Sequence, residues 1–283
     1  MNYRHAYHAG NFADVVKHAV LVALLDALKG KETPYTYFES HAGSGRYDLR
    51  STQSSKSREH LEGIARLLHA RALPAPLQAY VDLVQSLNTG AKNAQWVEYP
   101  GSPLIAAMHS RKDDRLVLCE LQPDEAAKLK LEFRRDSRVA VHQRDGYEAL
   151  AALLPPKPRR GLALVDPPFE LQVREFDAIA AALAPAFARW PTGIYAIWYP
   201  IKLRQHVVPF LRWLAKSGMR SILVTELLVH PDTSPLRLNG CGMVIVNAPW
   251  RFDHALLEIM PVLATHLQRE APCQHRVEWL VRD

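Results

Sequence analysis

Asp166-Pro-Pro-Phe169, directly after the apolar run GLALV, is the segment of this chain best suited to chemistry. Two consecutive prolines remove two backbone donors and fix an extended turn. The Asp166 carboxylate and the nearby carbonyls are thereby presented together as acceptors, with Phe169 as an aromatic face beside them. An adenine amino group calls for that arrangement. Its nitrogen lone pair is delocalised into the ring, so it is a poor nucleophile. Two acceptors gripping its hydrogens favour a more pyramidal nitrogen and stabilise the positive charge that develops during attack. Phe169 suits stacking on a flipped or single-stranded base. The competing reading is a Pro-Pro loop with a structural aspartate, and the choice between them rests on the neighbours.

Three other constellations share the placement of Asp166 at the carboxyl ends of apolar runs, where open α/β sheets bind ligands. In His41-Ala-Gly-Ser-Gly45 small residues let the backbone approach a cofactor closely, with His41 on the rim. Glu120, closing LVLCE, is placed to accept hydrogen bonds from ribose hydroxyls. Asp145-Gly146, beyond VAVHQR, can accept from a cofactor's adenine amino group. Taken singly, each also fits a bland alternative: a tight turn, a surface carboxylate, an Asp-Gly turn. Arg46, Arg50, Lys56 and Arg58 follow the glycine turn and are candidates for phosphate contact. Lys157, Arg159 and Arg160 precede their strand and read as ordinary solvated cations on the far face. For Lys17 a solvated helix face and a place in the site stand open together. Trp198 and Trp250 read as core aromatics in preference to cleft ones.

Elements must position these residues. Val15, Val16, Ala19, Val20, Ala23, Leu24 and Leu28 recur at helical spacing over residues 11–29, and Gly30 stops the run. A β-prone stretch, residues 33–39, leads into the glycine turn as the first half of a nucleotide-binding βα unit. The next plausible strand comes only at 116–120. Leu61, Ile64, Leu67 and Leu68, then Leu77, Tyr80, Val81, Val84 and Leu87 after a break at Pro74 and Pro76, imply a small helical insertion over residues 50–98. In Pro100-Gly-Ser-Pro103, Ser102 is expected as N-cap and Pro103 as the first helical residue. Strands are expected at 116–120, 139–142, 161–168, 193–200, 221–229 and 242–250, most of them separated by helices. The fold class is therefore α/β: seven strands in a mostly parallel sheet covered on both faces. A short connection permits an antiparallel final strand. The expected organisation is one domain, 1–283, carrying the helical subdomain 50–98.

Composition excludes little but bounds the partners. The chain has 283 residues, a formal charge of +6 and a pI near 9.2, which suits a polyanion without identifying one. No run of about 18 or more apolar residues appears, so no membrane span is expected. The opening MNYRHAYHAGN lacks the apolar core of a signal peptide. Cys119, Cys241 and Cys273 are far apart and odd in number, as in a reducing cytoplasm. His5, His8, His18 and His41 show no metal-ligand spacing, and no metal is expected.

DPPF in this position matches the (Asp/Asn/Ser)-Pro-Pro-aromatic motif of amino-group methyltransferases, and the order of motifs is that of the unpermuted class I Rossmann-like methyltransferase fold. More narrowly, the chain resembles the bacterial RlmJ family almost end to end. The likeness runs through YRHAYHAGNFADVVKH, SHAGSGRY, LEGIARL, YPGSPLIA, LCELQP, RDGYEAL, RRGLALVDPPFE, TGIYAIWYP and VNAPW. The opening block and YPGSP are far more specific than DPPF. The resemblance implies S-adenosylmethionine-dependent methylation of N6 of one adenine in 23S ribosomal RNA, before full ribosome assembly. It implies cofactor contacts at His18, His41, Ser102, Glu120, Asp145, Gly146 and Asp166. Asp166, Pro167 and Phe169 then serve the target amine, Tyr3 meets the RNA, and Arg46 and Arg50 are the expected phosphate contacts. Phe169 stands where the family usually has tyrosine, which keeps stacking and loses a hydroxyl. Ser44 replaces a common alanine. A cytoplasmic monomer is expected. A DNA adenine methyltransferase and a noncatalytic RNA-binding assembly factor are the rival functions. Glu120, Asp145 and Asp166 at three cofactor-linked strand ends argue against the second, because a pure binding module needs none of them.

Overall fold

Asn11 caps the first helix, α1 (Phe12–Lys29), its side chain accepting from the Asp14 amide at 2.9 Å. Apolar side chains on all sides of α1 are buried, because it packs against the sheet and other helices at once. The polar residues on it, Asp14, Lys17 and His18, are therefore buried too. The computed structural model describes residues 5–89, 96–170, 172–234, 238–269 and 273–282. Tyr3 lies outside them.

After α1 come β1 (Thr36–Glu39), β2 (Arg46–Asp48), α2 (Thr52–Ser57), α3 (Ala75–Ser86), β3 (Glu98–Pro100), α4 (Ser102–His109), β4 (Arg115–Glu120), α5 (Pro123–Glu132), β5 (Val139–Gln143) and α6 (Gly146–Leu153). The remainder is β6 (Gly161–Val165), α7 (Gln172–Arg189), β7 (Ile194–Ile201), α8 (Arg204–Lys216), β8 (Ile222–Leu228), β9 (Gly240–Val246), α9 (Phe252–Leu267) and β10 (Gln274–Val281). The large sheet runs in the order β10-β8-β9-β7-β6-β1-β4-β5. From β7 to β5 all pairings are parallel; β9 is antiparallel to β7 and β8, and β10 to β8.

The expected antiparallel strand is thus β9, and it slots between β7 and β8. The count of seven is corrected to eight by β10. This edge strand reads QHRVEWLV, half-exposed and with charges on it, so it shows no apolar run. β2 and β3 form a separate two-stranded ribbon.

Strand residues alternate between two cores. Tyr37, Leu162 and Leu164 face the layer of α1, α3, α4 and α9; Phe38, Ala163 and Val165 face that of α6, α7 and α8. Residues 52–86 hold α2, two short 3-10 turns and α3, and Ile64, Leu67, Leu77 and Tyr80 join the core around α1. Two local expectations are corrected. Ser102 is the first residue of α4 and Gly101 sits at the N-cap, because the Ser102 hydroxyl is drawn instead to Glu39. Trp250 is 87% exposed: β9 ends at Val246, and the turn that follows carries the ring outward beneath the Arg251 guanidinium. No helix among the described residues is long and apolar enough to cross a membrane.

Candidate active site

β1 lies between β4 and β6, so the connections leaving these strands diverge to opposite sides and open a crevice at their carboxyl ends. A cavity of about 610 Å³ fills it, a volume typical of small-molecule sites. Of the residues singled out from sequence, His41, Ser102, Glu120, Asp145, Gly146, Asp166, Pro167 and Phe169 line this cavity. His18, Arg46 and Arg50 do not.

The cofactor-side residues are held by backbone contacts. Gly43 takes φ of +62°, and a Cβ there would fall 2.4 Å from the Tyr47 hydroxyl, so glycine is required on both counts. Its N–H donates to Glu120 Oε2 at 2.8 Å, and the Gln122 N–H donates to Oε1 at 2.7 Å. Burial raises the Glu120 carboxyl above its ordinary range, against these bonds. Asp145 is the N-cap of α6, its Oδ1 accepting from the Tyr147 and Glu148 amides at 2.8 and 3.1 Å. Gly146 is set by packing, since a Cβ there would meet the Ser40 carbonyl at 2.1 Å.

Asp166 is anchored from α1. Lys17 Nζ donates to its Oδ2 at 2.6 Å and forms an ion pair with Asp14 Oδ1 at 3.0 Å. Asp14 Oδ2 also accepts from the Gly10 amide and pairs with His5 Nε2, both at 3.0 Å. Burial opposes both charges. For Lys17 the two carboxylates together outweigh it and raise its pKa well above the usual lysine value. For Asp14 the neighbouring His5 and Lys17 outweigh burial and lower its pKa well below the usual carboxylate value. Lys17 is therefore buried in the site; the solvated-face reading is corrected. Asp14 was not singled out from sequence. The available signal was helical: charges at i and i+3 on a helix apolar all round need partners.

Phe169 is 8% exposed, edge-on to Phe176 at 5.3 Å and Trp198 at 5.7 Å. Its N–H donates to the Pro167 carbonyl at 3.0 Å. His41 bonds Ser40 Oγ through Nδ1 at 2.8 Å and packs on Tyr147, and burial lowers its pKa to about 4. Ser102 and Tyr37 donate to the two oxygens of Glu39, a buried carboxyl absent from the sequence reading, which burial lifts to about 8. His18 is fully buried and held neutral by that burial; its Nδ1 meets the Tyr99 hydroxyl at 2.7 Å, and its Nε2 has no partner among the described residues.

The expected phosphate contacts are engaged within the protein. Arg46 forms ion pairs with Glu98 and Glu132, and Arg50 with Asp48 at 3.2 Å. Arg160 is no solvated cation; it donates to the carbonyls of Thr33 and Leu28. Among the described residues no group of three or more His, Cys, Asp or Glu side chains is placed to hold a metal ion.

The sheet order, the glycine turn after β1 and the Asp-Pro-Pro-Phe turn after β6 define a class I methyltransferase. The family described as ribosomal RNA large subunit methyltransferase D, RlmJ, matches residues 32–281, and the chain belongs to it. It is 41% identical over 281 residues to a protein of Escherichia coli (strain K12) named Ribosomal RNA large subunit methyltransferase J, covering 99% of each chain. A Haemophilus influenzae protein of the same name is 42% identical over 280 residues, again with 99% of each covered. A crystal structure of a Legionella pneumophila protein superposes with a TM-score of 0.86 at 34% identity, over 96% of this chain and 98% of that one.

Proposed function

We propose that this chain methylates the exocyclic N6 of a specific adenine in 23S ribosomal RNA, with S-adenosylmethionine as methyl donor. The observation that carries the reading is that Asp166-Pro-Pro-Phe169 opens onto the same cavity as Glu120 and Asp145. The residues fit the cofactor. Glu120 and Asp145 supply acceptors for ribose hydroxyls and an adenine amino group, and the glycine turn lets backbone come close. S-adenosylmethionine, when bound, supplies a methyl group made electrophilic by its sulfonium. Lys17 donates to Asp166 Oδ2, which leaves Oδ1 to accept from N6. The Pro167 carbonyl is the second acceptor, and Phe169 supports the ring. Asp166 is an orienting and charge-stabilising acceptor, since the neutral amine is far too weak an acid to be deprotonated first by a carboxylate. Residues 50–98, interposed between the sheet neighbours β1 and β4, are read as the inserted helical subdomain.

Radiolabelled transfer from S-adenosylmethionine to unmodified large-subunit ribosomal RNA, with nucleoside analysis and a DNA copy of the same sequence in parallel, is the test. Label in N6-methyladenosine from RNA supports the reading. Label confined to DNA favours the DNA rival, and no transfer to either favours a noncatalytic role.

A further inference from the structure

Three lysine or arginine side chains line the cavity: Lys17, Arg174 and Lys202. Lys17 is spent on two carboxylates. Arg174 and Lys202 are exposed, and among the described residues neither side chain makes an ion pair or hydrogen bond. Arg174 stands in the first turn of α7, where the helix dipole disfavours a cation. Glu175, its neighbour in sequence, turns away to the Tyr147 hydroxyl at 2.5 Å. Lys202 follows β7 directly, beside Trp198 and Pro200 on the cavity wall.

Both cations lie on one side of β1, toward β6 and β7. The β4 and β5 side carries Glu120, Glu125 and Asp145, while the β6 and β7 side also carries Glu170, Asp166, which is bonded to Lys17, and Glu175, which is bonded to Tyr147. Carboxylates therefore line both sides, and what distinguishes the β6 and β7 side is its two unpaired cations. Acceptors without cations suit the ribose and adenine of a cofactor that bears no phosphate. Unpaired cations around an aromatic slot suit the backbone of a strand whose base has entered it. Resting on the reading of the site proposed above, we propose that Arg174 and Lys202 clamp the phosphates flanking the target nucleotide. The RNA strand then crosses the cavity mouth between the start of α7 and the end of β7. Arg46 and Arg50, already neutralised by their own carboxylates, contribute less.

The test uses the full chain with Arg174→Gln, Lys202→Gln and the double variant. Binding of a short fluorescein-labelled RNA containing the target adenine is followed by anisotropy from 50 to 200 mM KCl. Each lost phosphate contact should reduce the slope of log affinity against log salt by about 0.7, so by about 1.4 in the double variant. KM for RNA should rise while kcat at saturating RNA stays near the parent value. S-adenosylmethionine affinity should be unchanged by calorimetry. A double variant with the parent slope, alongside normal methylation of adenine N6, overturns the clamp alone. A parent chain that forms no N6-methyladenosine overturns the reading of the site instead. A slope that falls equally in Arg50→Gln overturns the assignment of the clamp to this side of the cavity.

Discussion

Asp166 and Lys17 have to be considered together, because Lys17 Nζ holds Asp166 Oδ2 at 2.6 Å and Asp166 is one of the two carboxylates that keep the buried ammonium charged. Asp166→Ala should lower single-turnover methylation by roughly 10²-fold or more, the scale of deleting one preorganised electrostatic contact. Lys17 keeps Asp14 as partner, so the fold should survive; a folded variant with parental turnover would move the chemistry elsewhere. Lys17→Met is the harsher change, since it strands the buried Asp14 carboxylate and the part-buried Asp166 carboxylate, and urea unfolding should show a loss of about 3–5 kcal/mol. Glu39 gives a prediction with a definite sign in pH. Burial holds its folded pKa at about 8, against 4.5 for an ordinary glutamate. A raised folded pKa favours the fold fully below the unfolded value, and that contribution is lost as pH rises toward 8. Glu39→Gln should therefore match the parent in stability near pH 4.5 and exceed it progressively up to pH 8. A constant difference across that window in urea titrations would mean Glu39 is already ionised in the fold. In sequence, Glu39 was one acid at the end of a strand; only the burial of Tyr37 and Ser102 around it shows what it does.

At the level of elements, what could be read from the sequence followed apolar periodicity and what escaped it did not. α1 was legible because seven apolar residues repeat at helical spacing, and β6 because GLALV is apolar throughout. β10 was not, because an edge strand presents one face to solvent and its Arg276 and Glu278 interrupt any run. Asp145-Gly146 is legible as a possible acceptor for a cofactor's adenine or as a plain Asp-Gly turn, and its glycine has a further cause. The glycine exists because Ser40, the residue just after β1, passes too close for a side chain, which no local pattern reveals. Gly146→Ala should push α6 off the end of β1, costing about 1–3 kcal/mol as an overpacked contact. Because Asp145 caps the same helix, cofactor affinity should fall with it. Thermal unfolding and calorimetry on the one variant test both, and a drop in stability with unchanged cofactor affinity would separate Asp145 from the site.

Across the whole molecule, strand order decides which side of the cavity each charged group reaches. β4 and β5 bring Glu120 and Asp145 to one side of β1, while β6, β7 and the start of α7 bring Asp166, Phe169, Arg174 and Lys202 to the other. The net charge of +6 does not say where the excess cations lie; Arg46, Arg50, Arg138 and Arg204 are each matched by a carboxylate within the fold and are not part of that excess. Salt should therefore separate the two ligands. Cofactor held by directed hydrogen bonds to part-buried carboxylates is screened little. An RNA strand displaces counterions, and four phosphate contacts would give a slope of about 2.8, or roughly fiftyfold weaker binding between 50 and 200 mM KCl. Over the same range S-adenosylmethionine affinity should change by less than about twofold, since its contacts release no counterion atmosphere. Glu120→Ala then provides the internal control. It removes an acceptor worth about 1–3 kcal/mol from the cofactor side and frees the Gly43 and Gln122 amides, while leaving every cation in place. Its cofactor affinity should fall and its RNA salt slope should not move. A variant in which both changed together would show that the two sides of the cavity act as one electrostatic unit, with the division by strand order undone.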